Sequence, residues 1–170
     1  MITGTGNYQG TAAGTFKINK KYVSKAEISA ASYVSYDGTA KTPSLTVKLG
    51  DKTLKAGTDY TASYSDNINA GTGKVMITGK GNYQGTAAGT FTINKKYIST
   101  GSVTLSQTYY KYDGTAKKPT VTVTLGGKTL INGTDYTVAY TNNTSAGTAK
   151  VTVTGKGNYK GIYSVSFTIG

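Results

Sequence analysis

The segment Gly79-Lys80-Gly81-Asn82-Tyr83-Gln84-Gly85 has the composition of an anion cradle, with glycine-rich backbone around a single lysine. A phosphate loop would also need Gly-Lys-Ser/Thr and a helix N-terminus behind it. Here glycine follows the lysine and Ala88 to Asn94 reads as a strand, so the segment is expected to be a structural turn. Asp59 and Asp135 could each act as a base, but a lone carboxylate is no acid/base pair and glycoside hydrolysis requires two. Beside Tyr60 and Tyr136, they are expected to make turn or strand-end hydrogen bonds. Asp66-Asn67-Ile68-Asn69 carries too few acids for calcium, which takes six or more oxygen ligands.

Fifteen tyrosines could form a stacking platform for sugars or bases. Most recur at matching places: Tyr8/Tyr83/Tyr159, Tyr22/Tyr97, Tyr33/Tyr109, Tyr36/Tyr112, Tyr60/Tyr136 and Tyr64/Tyr140. Recurrence in every copy favours packing, so Tyr36, Tyr60, Tyr83, Tyr112, Tyr136 and Tyr159 are expected in the core. Asp37, Gly38, Asp113 and Gly114 join Asp59 and Asp135 as turn residues. Tyr110 and Tyr163 break the pattern and are the candidate ligand contacts.

The remaining composition excludes most chemistry. Among 170 residues there is no Cys, His, Trp or Arg, so no thiolate, imidazole or metal site built on either is available. No catalytic residue, cofactor or metal ligand is assigned. The net charge of +12 comes from lysines spread along the chain, and lysine lacks the bidentate fork of arginine, so specific nucleic-acid binding is not expected. Solvation, or loose attraction to anionic polymers, accounts for the charge. The sequence offers no membrane span.

Residues 1 to 24 recur at 76 to 99 with differences only at 5/80, 17/92 and 23/98, an offset of 75. Tyr36 to Lys41 recurs as Tyr112 to Lys117, an offset of 76, which places one extra residue between Ser99 and Tyr109. The expected organisation is 1–21 as the C-terminal remnant of a preceding repeat, 22–96 as repeat 1 and 97–170 as repeat 2. Met1 falls opposite Met76, inside an expected strand, so the chain reads as a piece of a longer array. The opening Met1 to Gly14 lacks a basic flank followed by an apolar stretch, and signal and anchor are expected outside this fragment.

Within a repeat, Leu45, Val47 and Leu49 alternate with polar residues, as do Val121, Val123 and Leu125, the pattern of a half-buried strand. Gly50-Asp51 and Gly126-Gly127 then read as two-residue hairpin turns. Further strands are expected at Tyr60 to Tyr64, Val75 to Ile77 and Phe91 to Ile93, with counterparts at Tyr136 to Tyr140, Val151 to Val153 and Phe167 to Ile169. A weaker strand is expected around Ile28 to Val34 and Val103 to Tyr109. Asp66-Asn67 and Asn142-Asn143 are expected to turn the chain by bonding their own backbone. No window carries helical periodicity. The fold class is all-β: tandem small Ig-like β-sandwich repeats of about 75 residues with about six strands each.

Tyr-Asp-Gly-Thr-Ala-Lys, Gly-Thr-Asp-Tyr-Thr, Ser-Ala-Gly-Thr-Ala-Lys-Val-Thr-Val-Thr-Gly-Lys-Gly-Asn-Tyr and a closing Phe-Thr-Ile follow in order. This run resembles the tandem glycine-rich β repeats of large bacterial surface proteins, the YDG-type and related "mostly beta, glycine-rich" modules. The resemblance implies spacer units of secreted, wall-attached adhesins and implies no catalytic residues. Surface modules of this kind can carry Lys–Asn isopeptide cross-links, which need a buried acid; Glu27, the only glutamate, has no acidic counterpart in repeat 2.

The function read here is a non-enzymatic stalk or spacer of an extracellular bacterial cell-surface or secreted adhesin-like protein. The alternative is a module binding carbohydrate or anionic wall polymer through exposed Tyr and Lys. Expected partners are adjacent repeats, with cell-wall polymer or host glycan under the alternative. The remnant is expected to form strands around Ile2 to Gly4 and Ala13 to Ile18, with Ile2, Tyr8, Phe16 and Ile18 meant for a core. Residues 1–20 are then expected to pair with a sheet edge of a neighbouring molecule.

Overall fold

A computed structural model describes residues 1–31 and 33–170. Ser32, inside the weak strand expected at 28 to 34, lies outside the described residues. The remnant holds β1 (Ile2–Thr3) and β2 (Thr11–Ala12). Repeat 1 holds β3 (Lys21–Tyr22), β4 (Glu27–Ala30), β5 (Val34–Ser35), β6 (Leu45–Leu49), β7 (Lys52–Leu54), β8 (Tyr60–Ser65), β9 (Gly71–Gly79), β10 (Tyr83–Gln84) and β11 (Thr86–Asn94). Repeat 2 holds β12 (Lys96–Tyr97), β13 (Ser102–Leu105), β14 (Tyr109–Tyr110), β15 (Val121–Leu125), β16 (Lys128–Thr129), β17 (Tyr136–Thr141), β18 (Gly147–Gly155), β19 (Tyr159–Lys160) and β20 (Ile162–Ile169), with one 3-10 turn at Ile98–Thr100. No α-helix occurs among the described residues, and no helix there is long and apolar enough to cross a membrane.

Each repeat contains a three-stranded sheet and a four-stranded one: β4-β6-β7 and β5-β11-β9-β8 in repeat 1, β13-β15-β16 and β14-β20-β18-β17 in repeat 2. The fold is all-β and sandwich-like. The single weak strand expected early in each repeat is instead two short ones. In repeat 2, β13 runs antiparallel to β15 while β14 runs parallel to β20, so the chain crosses from one sheet to the other between them. One continuous strand could not serve both sheets.

Local chemistry explains the turns. Leu49 pairs with Lys52 and Leu125 with Lys128, which makes Gly50-Asp51 and Gly126-Gly127 two-residue loops. Gly126 and Gly127 both have positive φ, whereas in repeat 1 only Gly50 does, at 61°. The second turn departs from expectation. Asp66 and Asn142 adopt left-handed φ of 51° and 55°. The next residue bonds a distant loop rather than its own backbone: Asn67 donates to the Lys41 carbonyl at 2.8 Å and Asn143 to that of Lys117 at 2.7 Å.

The chain forms two compact units. The first comprises Met1–Ile28, Thr46–Ser63 and Met76–Ala88. It buries Val23, Val47, Leu49, Leu54, Tyr60, Ile77 and Tyr83. Of the expected remnant strands, Ile2–Thr3 forms, but the second lies at Thr11–Ala12 rather than 13 to 18. Ile2, Tyr8, Phe16 and Ile18 are not in a core; Phe16 is 86% exposed. The remnant holds only this two-stranded pairing, β1 with β2, which offers no inner face to cover them.

The second unit comprises Ser29–Leu45, Tyr64–Val75 and Gly89–Gly170. One of its clusters lies between the sheets of repeat 2, where Ala149, Val151, Phe167 and Ile169 pack with Leu105, Tyr110, Val121 and Tyr140. The other joins Tyr36, Phe91 and Ile93 to Ile98, Val123, Leu125, Leu130, Tyr136, Val153 and Tyr159, and so continues past residue 96.

The two copies fill one core position differently. Gly73 corresponds to Ala149, and a Cβ on Gly73 would lie 2.4 Å from Cζ of Phe91. Phe91 stands edge-on to Tyr64 at 6.0 Å, while its counterpart Phe167 stands edge-on to Tyr110 at 5.6 Å. We expect Gly73→Ala to cost about 1–3 kcal/mol through the forced shift of the Phe91 ring. Ala149→Gly should cost about 1–2 kcal/mol, from strand entropy together with the loss of a buried methyl. Urea unfolding of both variants checks these costs, and a stabilising Gly73→Ala would refute the overlap.

Candidate functional site

The chemistry-bearing residues are occupied by architecture. Asp37 Oδ1 accepts from the Thr39 amide at 2.9 Å and its hydroxyl at 2.7 Å, and its other oxygen pairs with Lys41. Asp113 repeats this with Thr115 and Lys117. Gly38 and Gly114 complete these loops at φ of 87° and 77°. Lys41, then Thr39, hold the Asp37 carboxyl far below the usual carboxylate range, and Lys117 with Thr115 do the same for Asp113. Asp59 accepts from the Lys55 amide and Asp135 from that of Ile131, both at 2.9 Å. The lysine of the glycine-rich loop is likewise spent: Lys80 Nζ donates to the Gly57 carbonyl at 2.8 Å, as Lys156 does to Gly133 at 2.7 Å. Asp66 Oδ2 faces Lys74 at 2.7 Å, and Asn69 Oδ1 accepts from Asn158 at 3.0 Å, so two side-chain oxygens of the turn considered for calcium are engaged. Among the described residues no group of three or more acidic, His or Cys side chains could hold a metal.

The tyrosines divide. Tyr60, Tyr83, Tyr136 and Tyr159 are buried. Tyr83 lies beneath the Lys52 ammonium, 5.2 Å from its ring centroid. Tyr64 and Tyr140 donate to the carbonyls of Pro43 and Pro119, at 2.9 and 2.6 Å. The two candidate ligand tyrosines are half-buried packing residues. Tyr110 occupies the place of Val34 and fills the space beside Phe167, and Tyr163 packs against the cluster containing Tyr159. Five tyrosines expected as packing by recurrence are exposed: Tyr8, Tyr22, Tyr33, Tyr97 and Tyr109. Tyr112 is a further correction. It is 53% exposed where Tyr36 is 8% exposed.

The difference between Tyr36 and Tyr112 locates the one place where several singled-out residues converge, the junction of the repeats. The Tyr36 ring meets that of Tyr159 edge-on, with centroids 5.5 Å apart and planes at 85°. Beside it, Asn158 Oδ1 accepts from the Ala70 amide at 2.8 Å while its amide donates to Asn69. The Asn158 carbonyl receives Lys96 N at 3.0 Å and starts the parallel pairing of β12 with β19. Ile98 follows, fully buried, and at Gly101 a Cβ would come within 2.4 Å of the Thr124 carbonyl. Tyr112 corresponds to Tyr36 by sequence but has no Asn-Tyr turn packed on it.

Asn158 and Ile98 were missed by reasoning from residue chemistry. The available signal was the Gly-Asn-Tyr triplet at 6 to 8, 81 to 83 and 157 to 159. Burial pushes the Tyr159 hydroxyl up to about 12, with the neighbouring Tyr36 adding to it. A folded-state value above the unfolded one near 10 favours the neutral phenol, so its stability contribution is complete below about pH 10 and is lost towards 12.

Residues 26–97, less than half of the chain, match a family model described as an MBG domain, a β-rich repeat-type domain. No curated protein and no solved structure matches the chain.

Two outcomes are expected. Tyr36→Ala should cost about 2–4 kcal/mol in denaturant unfolding, because it removes a buried ring and an aromatic pair, and Tyr112→Ala about 0.5 kcal/mol or less. Equal costs would show that the junction does not hold Tyr36. In a carbon-detected NMR titration the Asp37 and Asp113 carboxyls should stay ionised through about pH 3, where an ordinary carboxylate is largely protonated. Their stabilisation is complete above about pH 4 and is lost as pH falls below it.

Proposed function

We propose that the chain is a non-enzymatic spacer segment of an extracellular, bacterial cell-surface or secreted adhesin-like protein, with its neighbouring repeats as its partners. The observation that carries this reading is the junction. Adjoining repeats share one apolar cluster, an edge-on tyrosine pair and an asparagine that bonds across to Asn69 and Ala70. A hinge would need few buried contacts and exposed backbone bonds. This joint has the opposite properties, and such joints let copy number set reach. The match of residues 26–97 to a β-rich repeat-type domain supports a repeat module, and the ordered turn motifs support the YDG-type resemblance and with it the surface location. The acids and the glycine-loop lysines already hold backbone, which leaves no catalytic set to assign. Ile2, Phe16 and Ile18 lie exposed on the remnant, which supports strand pairing of residues 1–20 with a neighbouring molecule.

The absence of native cysteine allows clean spin labelling at Lys74→Cys and Lys150→Cys, corresponding exposed positions of β9 and β18. A stiff joint gives one narrow distance distribution by double electron–electron resonance. Combining Tyr36→Ala with Asn158→Ala should broaden it. A distribution already broad in the parent chain would overturn the spacer reading.

A further inference from the structure

Six recurring tyrosines are exposed, Tyr8, Tyr22, Tyr33, Tyr97, Tyr109 and Tyr112, and one groove gathers two of them, Tyr33 and Tyr97. It lies in the second unit, where the end of repeat 1 meets the start of repeat 2, and has a volume of about 590 Å³. That lies within the usual range for small-ligand sites, about 300–1,000 Å³. Tyr33 and Tyr97 line it, together with Lys95, Lys96 and Lys160. Tyr33 is 93% exposed and has no packing role. Tyr97 is held in place: its Cδ1 would lie 3.1 Å from a Cβ on Gly161, and the Lys160 ammonium sits 4.4 Å from its ring centroid.

The charge balance is one-sided. Lys95, Lys96 and Lys160 make no ion pair among the described residues. The only carboxylate on the groove, Asp37, is already taken by Lys41 and Thr39. The groove thus combines three ammonium groups without a carboxylate partner, one of them held over the Tyr97 ring, with the exposed ring of Tyr33 and the open side of Tyr97. Ammonium groups recruit anions, and tyrosine rings present flat apolar surface to which a sugar can add its own.

A groove of related make-up, about 570 Å³, occurs in the first unit along Lys17, Asn19, Lys20 and Tyr22. There Gln84 stands at the place of Lys160, and Tyr22 has no second tyrosine beside it in the lining. Of these two grooves, the one at the junction carries both the second tyrosine and the third lysine.

We propose that this junction groove binds a short segment of an anionic polysaccharide. Its carboxylate or phosphate groups lie against Lys95, Lys96 and Lys160, and its sugar or polyol faces lie on Tyr97 and Tyr33. A nucleic-acid strand fits less well, since it needs a basic track over several nucleotides with successive stacking rings. This site does not depend on the spacer reading, because a rigid or a flexible joint could each carry it.

The test uses the full chain at low salt with four probes: tetragalacturonate, a glycerol phosphate hexamer, neutral maltotetraose and (dT)8. Isothermal titration reads affinity and stoichiometry, and NMR reads the site. The expected result is one equivalent of either anionic oligomer bound, with shifts at Tyr33, Tyr97 and Lys160 and none with maltotetraose. Preference between the two identifies the anion as carboxylate or phosphodiester. Lys95→Gln with Lys160→Gln should weaken binding roughly tenfold, as should Tyr97→Ala, all with unchanged melting. The control pair Lys48→Gln with Lys128→Gln removes the same charge and should change affinity less than about twofold, as general screened attraction predicts. Equal loss in the control, several equivalents per chain, equal binding of maltotetraose, tighter binding of (dT)8, or no binding of either anion would each overturn the proposal.

Discussion

A sandwich repeat of about 75 residues has few side chains with which to oppose its own conformational entropy. The rest of the structure follows from how that shortage is met. Each buried large apolar side chain contributes about 1.5–3 kcal/mol, and a repeat supplies roughly a dozen. The cluster around Tyr36, Phe91 and Ile93 does not stop at the repeat boundary but runs on into Ile98, Val123, Leu125 and Tyr159. Packing between neighbours is part of the core rather than an addition to it. The corresponding tyrosine Tyr112, with nothing docked on it, stays in water.

The same shortage accounts for the use of polar residues. Loops such as Tyr36 to Lys41 are held by side-chain hydrogen bonds to backbone, two of them charge-assisted, Asp37 on Thr39 and Lys80 on the Gly57 carbonyl, and one neutral, Asn67 on the Lys41 carbonyl. Each recurs in repeat 2 with nearly the same length. Residues that in another setting would be bases, ligands or anion clamps are thereby engaged in holding the loops. Where one repeat hands over to the next, two exposed tyrosines and three lysines without a carboxylate partner line one groove.

Differences between the copies show how loosely repeated sequence constrains packing. Gly73 and Ala149 occupy one position, and Val34 and Tyr110 another. The small pair in repeat 1 leaves Phe91 against Gly73 and Tyr64, while the larger pair in repeat 2 places Phe167 against Tyr110. The pair is larger in repeat 2, and the ring against which the phenylalanine stands changes with it. Tyr110, which breaks the repeat, stands edge-on to Phe167 and packs on the repeat 2 cluster.

Local rules were legible in the sequence. Two-residue alternation placed Leu45 to Leu49 and Val121 to Leu125 in strands, and Gly50 and Gly126-Gly127 marked the hairpins because only positive φ closes so tight a loop. These depend on neighbours within a few residues and are the same wherever the segment sits. The split of the weak strand into β13 and β14, the exposure of Tyr22, Tyr33, Tyr97 and Tyr109, and the bonding of Asn158 to Asn69 and Ala70 were not legible. Tyr36 and Tyr112 stand in the same six-residue motif and differ only in whether an Asn-Tyr turn from some 120 residues away lies on top. By itself the sequence determined strands, turns and the period of the repeat. Which side of each strand met another surface was decided by tertiary structure, because burial belongs to pairs of distant segments and not to either one alone.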